Sequence, residues 1–295
     1  MPLTRIENDV GLVLEGGGMR GMYTAGVLDC LSDWGLKFPL VASTSSSALI
    51  GSYFISEQRG QIYEAYNYLA DNYRIISFKR MITHKELFRM DLLFQLVPEK
   101  AAPFDFRAFT ESGVKLLIST TDILTGSAVY HDAFPSPEIL FTLVRASSSL
   151  PVLAPSVAFE GKLLVDGGVA DPIPIKPSIE RGYRRNVVIL TRNRGYIKKP
   201  SCLGWVYRRL FRQYPELIKL LKNRHEIYNR TTQEIQKMDM NRDVFLICPE
   251  KPLIAGRMER NKQVLEELYM QGYKEMQQKK EALRSFLLGQ ESEKT

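Results

Sequence analysis

Short apolar runs alternate along the chain with amphipathic stretches of helical period, the pattern of parallel strands covered by helices. Val10–Leu14 reads as the first strand, running into a glycine-rich turn at 16–21 and then a helix to about Trp34 with Val27, Leu28 and Leu31 on one face. Leu40–Thr44 reads as a second strand, ended by Ser45, Ser46 and Ser47 and followed by a helix of small residues from Ala48. Strand, tight turn and helix thus occur twice in succession. Further strands are expected over 115–120 and 127–131 around a turn at Gly126, over 159–165 leading into Asp166, over 186–191 and over 244–248. Residues 203–221 read as one helix, with Leu203, Val206, Leu210, Tyr214, Leu217 and Leu221 on its packing side and Arg208, Arg209, Arg212, Lys219 and Lys222 opposite. A long polar helix is expected over 259–288. No internal repeat, low-complexity tract or linker interrupts the pattern.

With 295 residues, 44% of them hydrophobic and 25% charged, the chain can bury a large core, and neither figure suggests disorder. The formal charge of +7 favours anionic partners such as a phospholipid surface. Nucleic acid has only this net charge behind it, and none is expected as a partner. Cys30, Cys202 and Cys248 are odd in number and far apart, which suggests neither a disulfide framework nor a zinc site. The N-terminus lacks a basic segment followed by an apolar one, and no run is long enough to span a bilayer. The expectation is a cytoplasmic protein, with at most peripheral contact with an anionic membrane.

Gly16, Gly17, Gly18, Met19, Arg20 and Gly21 lie between a strand and a helix, where backbone N–H groups point out of the helix N-terminus and make an anion site. The run also fits the GxGxxG pattern of dinucleotide folds, which expects an acidic residue roughly 20 positions on to hold the ribose. No Asp or Glu occurs between Asp33 and Glu57. The chain instead offers Ser43, Thr44, Ser45, Ser46 and Ser47. A serine at a strand-to-helix turn gains an exposed hydroxyl facing the positive end of the helix dipole, as a nucleophile needs. By itself such a run is also an ordinary loop or helix cap. The third piece is Asp166, which follows an apolar strand and precedes Gly167 and Gly168. Were all three strands parallel, their turns would open at one carboxyl edge, where such sheets place their sites.

In these residues the chain resembles the patatin-like phospholipases. That family carries an oxyanion loop GGGx[KR]G, a nucleophile elbow GxSxG and a catalytic DG[GA] turn, in this order. Residues 16–21 match the first, and Asp166, Gly167 and Gly168 match the last. The segment Arg145, Ala146, Ser147, Ser148, Ser149, Leu150, Pro151 is similar to the family's approach to it. The resemblance covers about 10–190, and a weaker similarity to the bacterial branch runs on through Ile247, Cys248, Pro249 and the helix after Arg257. It implies an α/β fold of three layers, α/β/α, with a mostly parallel central sheet. The division it suggests is a catalytic core over 8–190 and a mostly helical extension over 191–295, whose strand at 244–248 rejoins the same fold.

The activity implied is serine acyl hydrolysis of a lipid or other acyl ester, with no metal and no cofactor. The elbow register puts the nucleophile at Ser45, the base is Asp166, and the oxyanion hole falls on Gly16, Gly17, Gly18 and Met19. Arg20 is a candidate for a substrate phosphate or carboxylate, or else a surface residue capping its own turn. His84, His131 and His225 lie outside the motifs, in keeping with a Ser/Asp dyad; Asp122 and Asp171 read as turn residues. In one respect the chain departs from the pattern: both elbow glycines are serine, Ser43 and Ser47. These side chains are expected to crowd the approach of strand and helix. They leave a second reading open, a patatin-like module that binds lipid or a protein partner without turnover.

Overall fold

The computed structural model describes residues 9–71, 90, 94 and 96–289; His84 lies outside them. Strands β1 (Val10–Leu14), β2 (Leu40–Thr44), β3 (Lys115–Asp122), β4 (Ala128–His131), β5 (Val157–Phe159), β6 (Lys162–Asp166), β7 (Arg185–Ile189) and β8 (Val244–Ile247) form one eight-stranded sheet. The run β3-β2-β1-β7-β8 is parallel throughout. Successive side chains on these strands point to opposite faces, and both faces are apolar. Leu12, Leu14, Val187, Ile189 and Ile247 pack against α1 (Gly21–Asp33), α2 (Ser46–Ile55), α5 (Pro137–Ser148), α9 (Lys262–Gln278) and α10 (Lys280–Leu287). Val13, Val188, Leu190 and Leu246 pack the other way, against Ile175 of α6 (Ile175–Glu180) and Tyr228 and Ile235 of α8 (Pro215–Met240). The result is the expected three-layer α/β/α arrangement. The remaining helices, α3 (Gln61–Asp71), α4 (Phe106–Glu111) and α7 (Gly204–Leu210), lie around this frame.

One strand overturns the simple parallel expectation. The stretch read as a single strand over 159–165 is a hairpin: β5 and β6 are antiparallel and joined at Glu160 and Gly161, both with positive φ, as a tight two-residue hairpin turn requires. β6 in turn runs antiparallel to β3. Asp166 nevertheless reaches the carboxyl edge, because β3 is longer than β2. β2 pairs with β3 up to Thr44↔Ser119, and β6 pairs with the overhang from Asp122↔Leu164 back to Thr120↔Asp166. β4 overlaps both stretches of β3, from Ile118↔His131 to Thr121↔Ala128, and so occupies the opposite edge. β2 and β6 therefore share one edge of β3 and run head-on, stopping at adjacent residues, Ser119 and Thr120. This collision of strand ends brings the residue after Thr44 to Asp166.

The helix read over 203–221 is broken. α7 stops at Leu210 and α8 starts at Pro215, whose missing N–H and fixed φ suit a first helical turn and cannot continue a helix through it. The polar C-terminal stretch is likewise two helices, α9 and α10, meeting at Lys279. α9 crosses α1 at backbone contact: a Cβ on Gly26 would stand 2.0 Å from the Tyr269 carbonyl oxygen, and one on Gly272 would stand 2.1 Å from that of Tyr23. Hydroxyls of Tyr23, Tyr269 and Tyr273 donate across this contact to Glu275, Asp29 and Asp33 at 2.8, 2.7 and 2.8 Å. Among the described residues no helix is long and apolar enough to cross a membrane.

Candidate active site

Ser45 sits between β2 and α2 with φ 61° and ψ −134°, a conformation that costs a residue with a Cβ of order 1–3 kcal/mol. Its N–H donates to Ser147 Oγ at 2.8 Å, and the Ser147 hydroxyl donates in turn to the Ser119 carbonyl at 2.7 Å. The Ser45 hydroxyl donates to Asp166 Oδ2 at 2.7 Å. Asp166 is only 1% exposed. Its Oδ1 accepts from the Gly168 N–H at 2.8 Å, and its own N–H donates to the Ser149 carbonyl at 2.9 Å. Residues 147–149, at the end of α5, thus hold the backbone of both Ser45 and Asp166.

The crowding expected from Ser43 and Ser47 does not pull this pair apart. Both side chains are buried and both hydroxyls have backbone acceptors, Ser43 on the Leu117 carbonyl at 3.3 Å and Ser47 on that of Glu15. A buried hydroxyl with a partner is tolerated where an orphaned one is costly.

The glycine loop lies directly on the elbow. A Cβ on Gly16 would be 2.7 Å from both the Ser45 Cβ and the Thr44 carbonyl oxygen, so only glycine fits. Gly18 has φ 59°, and a Cβ there would meet the Arg257 carbonyl oxygen at 2.6 Å. The proposed donors are unequal. The Gly17 N–H is held by the Ser46 hydroxyl at 3.2 Å, a partner that can rotate away. The Met19 N–H donates to the Arg257 carbonyl at 3.1 Å, a backbone bond that takes it out of the donor set expected from the sequence. Arg20 is neither at the surface nor at the site mouth. It is 2% exposed, its Nη2 donates to Thr191 Oγ1 at 3.4 Å, and it lines neither cavity beside Ser45. Burial and the Arg192 charge push its guanidinium down to about 10, against the pull of Glu15.

Two cavities meet at Ser45. One, of about 210 Å³, is walled by Leu49, Leu69, Phe94, Leu150, Leu153 and Met258 and reaches Ser45 past Gly18 and Met19. The other is polar and small, about 20 Å³, and brings Ser45 and Asp166 together with Glu15, Lys198, Arg224 and Arg257. Arg224 Nε donates to the Gly168 carbonyl at 2.6 Å, and its Nη2 lies 3.7 Å from Asp166 Oδ1. Burial lowers Arg224 to about 10, Asp166 opposing the shift and Arg257 adding to it. Lys198, with its Nζ 4.8 Å from the centre of the Tyr228 ring, is pushed down to about 7 by burial and by Arg224 and Arg257. Glu15 accepts the Thr191 N–H at 2.6 Å and the Tyr228 hydroxyl.

His131 and His225 line neither cavity. His131 is bonded to Thr120 Oγ1 at 2.9 Å and held down to about 4 by burial and Lys162. Asp122 takes the turn role expected of it, accepting the Leu124 N–H at 3.0 Å; Asp171 instead accepts the Tyr130 hydroxyl at 2.8 Å, and its burial raises its carboxyl. Among the described residues no group of three His, Cys, Asp or Glu side chains is placed to hold a metal ion.

The sequence reading missed Glu15, Lys198, Arg224, Tyr228 and Arg257. Arg224 alone carried a visible signal. It falls on the inward stripe of α8 with Leu217, Leu221, Tyr228 and Ile235, where a cation is out of place unless it meets a partner.

A family model for patatin-like phospholipases matches residues 12–179, more than half of the chain. A second, for a domain of unknown function (DUF6363), matches residues 214–288. The chain belongs to the patatin-like phospholipase family. It is similar to the lysophospholipase NTE1 of Scheffersomyces stipitis, at 25% identity over 61% of this chain, and to that of Lodderomyces elongisporus, at 26% over 59%. These matches span only 11% and 12% of the fungal proteins. The uncharacterized protein YjjU of Escherichia coli is 28% identical over 83% of this chain and 69% of its own length. In fold the chain is similar to human GIVD cytosolic phospholipase A2, with a TM-score of 0.52 at 15% identity, covering 95% of this chain and 59% of that one.

Proposed function

We propose that the chain is a serine acyl hydrolase acting on lipid esters, with Ser45 as nucleophile and Asp166 as its base. The observation that carries this is the 2.7 Å bond from the Ser45 hydroxyl to Asp166 Oδ2 at the end of an apolar cavity. In the proposed reaction an acyl chain occupies that cavity and the ester carbonyl meets Ser45 Oγ. Asp166 takes the hydroxyl proton as the C–O bond forms, and N–H groups of Gly17 and Gly18 hold the oxyanion. Asp166 then passes the proton to the departing alkoxide. A water, deprotonated by the same carboxylate, attacks the acyl-enzyme; the ester C–O bond breaks, the fatty acid leaves, and Asp166 returns the proton to Ser45 Oγ. The names of the fungal relatives agree with a lipid ester as substrate. Contact with an anionic membrane surface, through the basic segment around α7, belongs to the same reading.

The test is labelling by a fluorophosphonate probe together with turnover of a panel of acyl esters. Wild type is expected to label and turn over. Ser45→Ala should do neither, and Asp166→Asn should lose at least about 10³-fold in kcat. Residual turnover above about a tenth of wild type in either variant would refute the assignment. A folded wild type that neither labels nor turns over any ester would favour the module that binds lipid or a protein partner without catalysis.

A further inference from the structure

Two of the three motifs are held by residues from 214–288, a segment to which no function is assigned. Arg224 follows Leu221 by three positions on α8 and precedes Tyr228 by four, so one helix face carries both polar groups inward. The Tyr228 hydroxyl donates to Glu15, next to the end of β1, and the Arg257 carbonyl accepts the Met19 N–H in the glycine loop. Arg224 takes the third motif. Its Nε donates to the Gly168 carbonyl at 2.6 Å, and its Nη2 lies 3.7 Å from Asp166 Oδ1. A Cβ on Gly168 would stand 3.0 Å from that Nη2, so the guanidinium lies close against the turn. Asp166 needs such a neighbour, because a carboxylate only 1% exposed is costly unless it is paired. Glu15, Lys198, Tyr228 and Arg257 line the same cavity, and among the described residues Arg224 alone comes within ion-pair distance of Asp166.

We infer that Arg224 is a positioning residue for the dyad, holding the Asp166 turn so that Oδ1 is occupied and Oδ2 faces Ser45, and that the segment 214–288 thereby completes a site whose motifs all lie within 12–179. The inference rests on the hydrolase reading for the word dyad, and on geometry alone for the hold on Asp166. The two carboxylate oxygens have separate duties. Oδ1 accepts the Gly168 N–H and faces the guanidinium, while Oδ2 accepts the Ser45 hydroxyl. At 3.7 Å the contact with Nη2 is too long for a hydrogen bond and acts through charge. A cation at that range favours the ionised carboxylate, the form that can take a proton. Even lowered to about 10, Arg224 keeps its charge at neutral pH. The bond to the Gly168 carbonyl does a second job, since it fixes the turn whose N–H holds Oδ1. Only a guanidinium offers both contacts from one rigid fork; a lysine ammonium supplies the charge without that geometry.

Two measurements on the full chain test this. The first is the pH dependence of acyl-ester turnover. Arg224→Gln removes the charge and keeps a side-chain donor, so kcat near neutral pH should fall about tenfold or more with KM little changed. The acid limb of its profile should move to higher pH by about one unit or more. Arg224→Lys should hold the limb at its wild-type position and regain part of the lost kcat. Arg224→Met carries the same expectation as Arg224→Gln should the latter fail to fold. Wild-type kcat in a folded neutral variant, or a loss of kcat with the limb unmoved, would leave the arginine idle or merely structural and overturn the inference. The second measurement reads the carboxylate directly. The Asp166 carboxyl carbon resonance in the ¹³C-labelled chain, identified by its loss in Asp166→Asn, should titrate about one pH unit or more higher in Arg224→Gln than in wild type. An unmoved midpoint overturns the inference whether or not the protein cleaves esters. A moved midpoint in a chain that cleaves no ester would overturn the hydrolase reading and leave the hold of Arg224 on Asp166 standing.

Discussion

Ser147 lies 102 residues from Ser45 in sequence, yet its Oγ takes the Ser45 N–H at 2.8 Å. Since the same hydroxyl donates to the Ser119 carbonyl, the strained φ of Ser45 is held from β3 by way of α5. Ser147→Ala leaves that part-buried N–H without its partner, at a cost of about 1 kcal/mol or more. If the turn relaxes by shifting Ser45 about 1 Å, roughly a hundredfold in rate goes with it. The expected outcome is a lowered melting temperature together with a kcat reduced about 10- to 100-fold and a KM little changed. A variant with wild-type kcat would show that the elbow keeps its shape without Ser147.

The serines that replace the elbow glycines make a different case. With the Ser43 and Ser47 hydroxyls bonded to Leu117 and Glu15, restoring the family pattern removes two satisfied groups and adds unfolded-state entropy of up to about 1 kcal/mol per glycine. Ser43→Gly with Ser47→Gly is expected to be less stable than wild type. Its ester turnover should stay within about threefold, a barrier change of about 0.7 kcal/mol. A tenfold rise in kcat would mean that the serines crowd the elbow after all.

Much of the candidate site's backbone geometry was legible in sequence because its requirements are local. A turn that tolerates no Cβ at Gly16, and a strand that stops at Thr44, leave marks within a few residues of themselves. What decides the rest is pairing at a distance. The antiparallel course of β6 depends on β3 overrunning β2, which no residue in 159–165 announces. Met19 loses its N–H, and the polar cavity gains two of its cations, through residues 198 and 257, far from every motif. Arg20 matched the basic position of a motif, but the match carries no information on burial. The break at Pro215 was legible, and the apolar spacing running through it concealed it.

Lys198 gives stability a pH dependence with a definite sign. Its ordinary value is 10.5 and the folded protein holds it near 7, so between these pH values the unfolded chain binds a proton that the folded chain has released. Stability from this group therefore rises as pH increases through that window, and its penalty is fully present below about 7. Lys198→Met removes the penalty. The variant should melt above wild type by a margin that is largest at or below pH 7 and shrinks toward pH 10. A margin that stays level across the range would show that Lys198 titrates normally in the folded state.

The last expectation concerns the surface that would meet lipid. Residues 196–212 contain Lys198, Lys199, Arg208, Arg209 and Arg212 and no acid. On the same stretch Ile197 is 72% exposed and Trp205 66%, with Leu203 and Leu210 also at the surface. Cations beside an exposed indole and aliphatic side chains suit the boundary between headgroups and acyl chains, where each Lys or Arg contributes about 1 kcal/mol toward anionic lipid. α7 sets Trp205 one turn from Arg208 and Arg209, so ring and charges can engage one bilayer together. The chain has only one other tryptophan, Trp34, which lies under Lys280 at 5.2 Å. Trp34→Phe therefore makes Trp205 the sole indole reporter, and Ser45→Ala in the same chain keeps the vesicles from being consumed. Emission should shift to the blue on adding phosphatidylglycerol vesicles and much less with phosphatidylcholine. Raising the salt should reverse the shift, because the Debye length shrinks from about 10 Å at 0.1 M to about 3 Å at 1 M. Replacing Arg208 and Arg209 with Gln should weaken binding while leaving the melting temperature in place, since both side chains are exposed. An unchanged spectrum with both lipids would exclude this face from the membrane. A shift indifferent to lipid charge and to salt would assign the contact to Trp205 and its apolar neighbours alone.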